Sequence, residues 1–175
     1  MIALKELSDP TNYLQQLPLA VVILTVGRGR HFRAQITTVS YATLAPLRLV
    51  KTFSPTSTTL RSLQEVGRFA LSIASFENLE LVEKLSEKTL SDEELEKIAS
   101  NWLNFSSVDS SCYLPEALFA VDCRVEKTVV EDDYVMVVSR VEDFHNGSGK
   151  TPLIRFRHSY GSIGDTISAN DNYPI

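Results

Sequence analysis

The chain has too few cysteines for a disulfide framework. Cys112 and Cys123 are the only two in 175 residues, and their spacing fits no metal-binding or thiol-redox motif. They read as buried or half-buried thiols of a reducing cytosol. Histidine is as sparse: His31, His145 and His158 stand scattered, with no partner at ligand spacing, so no metal site is expected. Long apolar runs are missing. The longest, Leu17 to Val26, contains Pro18 and Thr25 and falls short of the ~20 residues of a membrane helix. Met1-Ile2-Ala3-Leu4-Lys5-Glu6 lacks the basic start and apolar run of a secretory signal. These absences predict a cytoplasmic protein without a membrane segment.

A basic surplus is absent too. Seventeen Lys and Arg against 22 Asp and Glu give a net charge of −5, which argues against a nucleic-acid partner. The one basic stretch, Gly27-Arg28-Gly29-Arg30-His31-Phe32-Arg33, reads as a solvated hairpin loop. The acidic run around Glu93, Glu94 and Glu96 reads as a solvated helix face. There is no Gly-x-Ser-x-Gly elbow, no Gly-x-Gly-x-x-Gly fingerprint and no Gly-x-x-x-x-Gly-Lys loop.

What is present is an ordinary globular composition, 43% hydrophobic and 22% charged, in a length that makes one domain over 1–175 with a sizeable core. Asp9-Pro10 pairs an N-cap with a proline at the first helical position and predicts a short helix to about Leu17. Ala20 to Thr25 is a continuous run of a buried strand. Gly27 and Gly29 mark a turn, Phe32 to Ser40 reads as the returning strand, Leu44-Ala45-Pro46 breaks it, and Leu47 to Phe53 forms another. A helix over about 59–66 closes on Gly67, suited to the left-handed position after a helix. Phe69 to Ala74 is a further strand. Ser75 caps a helix carrying Leu79, Val82 and Leu85, and Ser91 with Glu94 forms a capping box for a helix from Asp92 to about Ser100.

Residues 101–113 read as an irregular excursion anchored by Trp102 and Phe105. Leu118 to Val130 and Tyr134 to Phe144 are long strands joined through Glu131-Asp132-Asp133 as a hairpin. His145 to Gly149 is a loop, Pro152 to Phe156 a last strand, and 168–174 a polar tail. Six or seven strands with short helices between them predict a mainly β fold, a closed antiparallel β-barrel with helical decoration. Strand and helix do not alternate steadily enough for a doubly wound parallel sheet.

One stretch concentrates chemistry. From Ser54 to Thr59, five of six side chains carry a hydroxyl, namely Ser54, Thr56, Ser57, Thr58 and Thr59. They stand between a strand and a helix start, where free backbone N–H groups and the positive end of the helix dipole suit an anion. Hydroxyls add hydrogen bonds without adding charge, so the stretch can hold a phosphate. One of these residues serving only as the helix cap is the plainer alternative.

Four segments, in order, resemble the flavin reductase-like family of FMN-binding split β-barrels. Leu17 to Thr25 looks like its "LPTGVVVVT" strand. Thr37-Thr38-Val39-Ser40 with Thr43-Leu44-Ala45-Pro46 looks like "SSFTSVSLDPP". Ser57-Thr58-Thr59-Leu60 with Gly67 to Ile73 looks like "SxTLxxLxxxGxFAVNV", and Pro152 to Tyr160 looks like "PLLYYRGRY". The chain departs at Ala20, where glycine is usual, at Pro46-Leu47 in place of Pro-Pro, and at Gln35 in place of threonine. It also departs at Arg48 and Lys51, charged positions in a commonly apolar strand.

The resemblance implies a homodimer with flavin sites at or near the subunit interface. It implies FMN, with FAD as the alternative, and NAD(P)H as a transient co-substrate bound over the flavin. Hydride transfer is carried by the cofactor itself, so little acid–base machinery is needed. It further implies that the hydroxyl-rich strand from Gln35 to Ser40 lies beside the flavin, with Gln35, Ile36, Thr37 and Thr38 as its contacts. Ser54, Thr56, Ser57, Thr58 and Thr59 would hold its phosphate. The Arg157-His158-Ser159-Tyr160 segment would approach the flavin or the nicotinamide, with His158 as the candidate catalytic residue. The expected activity is an NAD(P)H:flavin reductase, with a partner monooxygenase as the receiver of reduced flavin. A flavin carrier or store without turnover, a flavin-free dimeric scaffold, and a pyridoxamine-phosphate oxidase-like barrel are the competing readings.

Overall fold

The computed structural model describes residues 16–87, 90–105 and 112–163. The expected first helix, apart from its last two positions, and the polar tail lie outside them. Residues 16–17 form a turn.

Seven strands build one antiparallel sheet: Val22–Val26 (β2), Arg33–Thr37 (β3), Ser40–Leu44 (β4), Leu47–Phe53 (β5), Arg68–Ile73 (β6), Phe119–Val130 (β9) and Val135–Asn146 (β10). Their spatial order is β3-β2-β6-β9-β10-β5-β4. A small sheet joins Leu19–Ala20 (β1), Ile154–Phe156 (β11) and Ser159–Gly161 (β12). Asn104–Phe105 (β7) pairs with Cys112–Tyr113 (β8). Three helices, Thr58–Val66 (α1), Leu79–Leu85 (α2) and Asp92–Trp102 (α3), complete the described fold.

The sheet has a core on each face. On one, Leu24, Phe69, Leu71, Val121 and Val137 enclose Leu60 and Leu63 of α1. On the other, Val21, Ile23 and Phe32 pack against Leu81 and Val82 of α2 and Leu95 and Ile98 of α3. All five residues of β2 are therefore buried, which is why this strand reads as an unbroken apolar run instead of an alternation. Each fully buried Leu or Phe here contributes roughly 1.5–3 kcal/mol by leaving water.

Local chemistry sets the helix bounds. The Leu60 amide donates to Ser57 Oγ at 3.2 Å, which caps α1, and Gly67 ends it with φ of 72°. Ser91 and Glu94 form the reciprocal capping box of α3.

Three features differ from the sequence reading. The expected strand 32–40 divides: the chain leaves β3 at Thr38-Val39 and crosses to the opposite end of the sheet, where β4 pairs with β5. Leu44-Ala45-Pro46 is the tight connection of that hairpin. The two end strands, β3 and β4, are not hydrogen-bonded to each other, so the closed barrel read from the strand pattern is not formed, while the split β-barrel that the resemblance implies is. The excursion 101–113 begins with the last turn of α3 and carries the β7–β8 pair, and a further strand, β12, follows β11.

Candidate functional site

Among the described residues, strand β3 pairs only with β2 and ends the sheet. Its outer edge therefore presents a row of backbone donors and acceptors with no strand beside it. Against this edge lies a cavity of about 480 Å³ lined by Gln35 and Ile36 of β3, Leu85 and Ser86 at the end of α2, and Arg155, His158 and Tyr160 of the β11–β12 hairpin.

Several ties hold these elements in place. The Val21 amide donates to the Leu153 carbonyl (3.0 Å), Leu153 to Ala74 (3.0 Å) and Ala74 to Val21 (2.9 Å). This ring joins the small sheet to the large one around Leu153, which is buried. The Ser86 hydroxyl donates to the Val82 carbonyl at 2.8 Å and meets Tyr160 Oη at 3.0 Å, which pins the hairpin to the helix. Phe156 pairs with Ser159, leaving Arg157 and His158 as a two-residue turn with φ of 48° and 63°. Both central residues at positive φ make this a primed hairpin turn, a shape usually left to glycine or asparagine. For His158 and Arg157 it costs of order 1 kcal/mol each, and the turn is what brings His158 to the cavity wall.

The structure brings together three of the sequence-predicted residues, Gln35, Ile36 and His158. Thr37 is buried, with its hydroxyl donating to the Thr38 carbonyl at 3.1 Å, and Thr38 follows it, exposed. Arg157 turns away from the cavity: its Nε donates to Gln16 Oε1 at 2.7 Å and its guanidinium lies 5.0 Å from the Phe156 ring. Sequence reasoning placed Tyr160 in the segment 157–160 near the flavin or the nicotinamide, and missed Arg155 and Ser86. Arg155 stands where the quoted motif has tyrosine, and that mismatch was the available signal.

The hydroxyl-rich stretch forms a separate feature at the start of α1. Ser54 Oγ accepts from the Thr56 amide (3.3 Å) and contacts Thr56 Oγ1 (3.0 Å), while the Ser57 amide donates to the Ser54 carbonyl (3.0 Å). Ser57 is the cap, Thr58 is exposed, and Thr59 is buried against the helix's own core. Just upstream, Lys51 is half-buried and its pKa is lowered by desolvation. Arg48 takes no part here: its Nε meets Glu126 Oε2 at 2.6 Å.

Neither thiol offers a nucleophile. Burial pushes Cys112 up to about 11 and Cys123 up to about 12, so both stay protonated at neutral pH. A potential metal-binding group forms that the sequence spacing did not show. Asp122, Asp143 and His145 place their ligand atoms within 4.8 Å of one another, His145 Nε2 lies 2.8 Å from Asp122 Oδ2, and the imidazole stacks on Tyr113 at 4.2 Å.

The sequence pattern described as a flavin reductase like domain matches residues 14–164. The chain belongs to the flavin reductase-like family. Among solved structures, the flavin reductase component of a bacterial two-component tryptophan halogenase superposes with a TM-score of 0.80 at 14% identity, covering 90% of this chain and 98% of that one. The NADH:FAD oxidoreductase of Streptomyces globisporus C-1027 gives 0.77 at 10% identity, covering 91% and 96%. The styrene monooxygenase flavin reductase of Pseudomonas putida S12 gives 0.70 at 16% identity, covering 90% and 99%. Identities this low speak for the fold. No curated protein matches the chain by sequence. For this member of the flavin reductase-like family, three of the departures from the family motifs, Gln35, Arg155 and His158, fall at the cavity itself.

Proposed function

We propose that the protein is an FMN-binding oxidoreductase, an NAD(P)H:flavin reductase that works as a single domain over 1–175. The observation that carries this reading is the cavity at the open edge of β3. The donor set there fits a flavin. An unpaired strand edge with Gln35 matches the alternating donors and acceptors of the ring's pyrimidine side. Ile36 and Leu85 give an apolar wall for its benzenoid side. His158 offers a ring nitrogen to the flavin, in a cavity whose described lining holds no carboxylate. Ser54, Thr56, Ser57, Thr58 and Thr59 are the proposed holders of the flavin phosphate, with Thr37 and Thr38 continuing the β3 edge. Bound flavin, FMN or FAD, supplies the hydride-accepting chemistry. The chain's residues bind, orient and shield it from water.

Assembly and setting belong to the same proposal. Strand β4 is exposed along its whole length, with Tyr41 58% and Leu44 53% exposed, and an open apolar edge of this kind supports a homodimer. Two of the structural neighbours are the reductase parts of a halogenase and of a styrene monooxygenase. By analogy, a partner monooxygenase receives the reduced flavin. Among the described residues no helix is long and apolar enough to cross a membrane, and we place the protein in the cytoplasm on its two free thiols.

The test is titration of the purified protein with FMN, followed by flavin fluorescence and then by NADH and NADPH oxidation. Saturable quenching near one flavin per chain with steady oxidation is the expected outcome. Quenching without oxidation would leave a flavin carrier, and no quenching at micromolar flavin a flavin-free scaffold.

A further inference from the structure

Arg155 differs from five other arginines of the chain. Arg33, Arg48, Arg68, Arg124 and Arg140 each meet a carboxylate at 2.6–3.4 Å. Arg155 has no ion pair or side-chain hydrogen bond among the described residues, and it lines the cavity beside His158, also without a partner there. The other polar walls are neutral: Gln35 and the Ser86–Tyr160 hydroxyl pair, 3.0 Å apart. A chain with a net charge of −5 thus keeps an exposed guanidinium, without an ion pair among the described residues, at a recess whose described lining holds no carboxylate. Such a recess selects an anion, and a planar guanidinium binds phosphate oxygens two at a time.

Two phosphate-bearing ligands enter the proposed reaction. The flavin phosphate already has a separate candidate holder at the start of α1, built from Ser54 to Thr59, and none of those residues lines this cavity. We infer that Arg155 is a phosphate subsite for the nicotinamide dinucleotide, holding it at the β3 edge from the hairpin side. The inference rests on the flavin reductase reading for its ligand class and adds no chemical step. Tyr160 pairs with Arg155 across β11–β12 and is fixed through Ser86 to α2, so the guanidinium stands on a held strand instead of a free loop.

The experiment compares wild type, Arg155→Ala and Arg155→Lys. Binding of NADH and NADPH is titrated on flavin-free protein by nicotinamide fluorescence. FMN affinity is measured by quenching, and KM and kcat for both donors at saturating FMN. Arg155→Ala is expected to weaken dinucleotide binding and raise KM about tenfold or more, given the strength of charge-assisted phosphate contacts. It should leave kcat and FMN affinity within about twofold, and Arg155→Lys should recover part of the loss. A loss confined to NADPH assigns the contact to the 2′-phosphate, and a loss shared by both donors assigns it to the pyrophosphate. Either supports the subsite. Unchanged dinucleotide binding and KM in Arg155→Ala would overturn it, as would a loss of FMN affinity, which would give Arg155 to the flavin. Wild-type protein that binds no FMN breaks the functional reading, while the flavin-free titration still decides the subsite.

Discussion

Ser57 holds two roles that one pair of substitutions separates. Its hydroxyl accepts from the Leu60 amide and caps α1, and it stands in the stretch proposed for the flavin phosphate. Alanine removes the cap and should cost about 1 kcal/mol of stability in urea unfolding. Aspartate caps a helix as well as serine does, yet sets a negative charge against the phosphate. Ser57→Asp is therefore expected to unfold within about 0.5 kcal/mol of wild type and to bind FMN at least tenfold more weakly. Unchanged FMN affinity in that variant would remove Ser57 from the phosphate site. Single residues were legible where the signal was local. Gly67, Ser91 and Glu94 declare helix ends through fixed offsets, whereas Ser57 was one of five hydroxyl residues that could have been the cap. Arg155, Ser86 and Tyr160 meet only after α2 and the β11–β12 hairpin pack together, and no sequence offset encodes that meeting. The same holds for Asp122 and His145, which the β9–β10 pairing brings together across the sheet.

At the scale of elements, the sheet carries a row of like charges that needs compensation. Arg68 pairs in register with Arg124, Arg124 with Arg140, and Arg140 with Arg48, so four guanidinium groups cross β6, β9, β10 and β5. Like charges directly opposite on neighbouring strands repel. Glu142 answers three of them, with Arg124 and Arg68 at 2.7 Å and Arg140 at 3.9 Å, and Glu126 bridges Arg48 and Arg140. Glu142 also sits where the β9–β10 register shifts, between Val141 and Asp143; such bulges re-aim side chains.

Glu142→Gln keeps the shape and removes the charge. Unfolding at low salt should show a loss of about 1–3 kcal/mol, and the loss should shrink toward 1 M salt, where the screening length is about 3 Å. A loss independent of salt would show that packing, not charge, is at stake. Elements were read best where periodicity and punctuation agreed, as in the β9–β10 hairpin. The β3–β4 division escaped because Phe32 to Ser40 keeps a strand-like composition through the crossing at Thr38-Val39. β12 escaped because its turn uses Arg157 and His158, which give no glycine or asparagine signal.

For the whole molecule, the four matched segments made the fold legible in the sequence through their resemblance to the family. What they left open was the state of the sheet's two ends. One end, β4, carries the exposed Tyr41 and Leu44, and the other, β3, carries the cavity. The twelve-residue strands β9 and β10 join through a short turn at its centre, with Glu131 donating to the Tyr134 carbonyl at 2.9 Å.

That central hairpin has a consequence in time. Closing it costs the least loop entropy of the long pairings, so it is the natural first piece to form, and β3, held from one side only, is among the last to join and the first to open. Amide exchange should be slowest in β9 and β10 and markedly faster in β3 and the β11–β12 hairpin. Bound FMN, taking the place of the neighbour strand that β3 lacks, should slow exchange there while leaving the central hairpin as it was. Uniform slowing across the sheet would instead mean that ligand and core open as one unit.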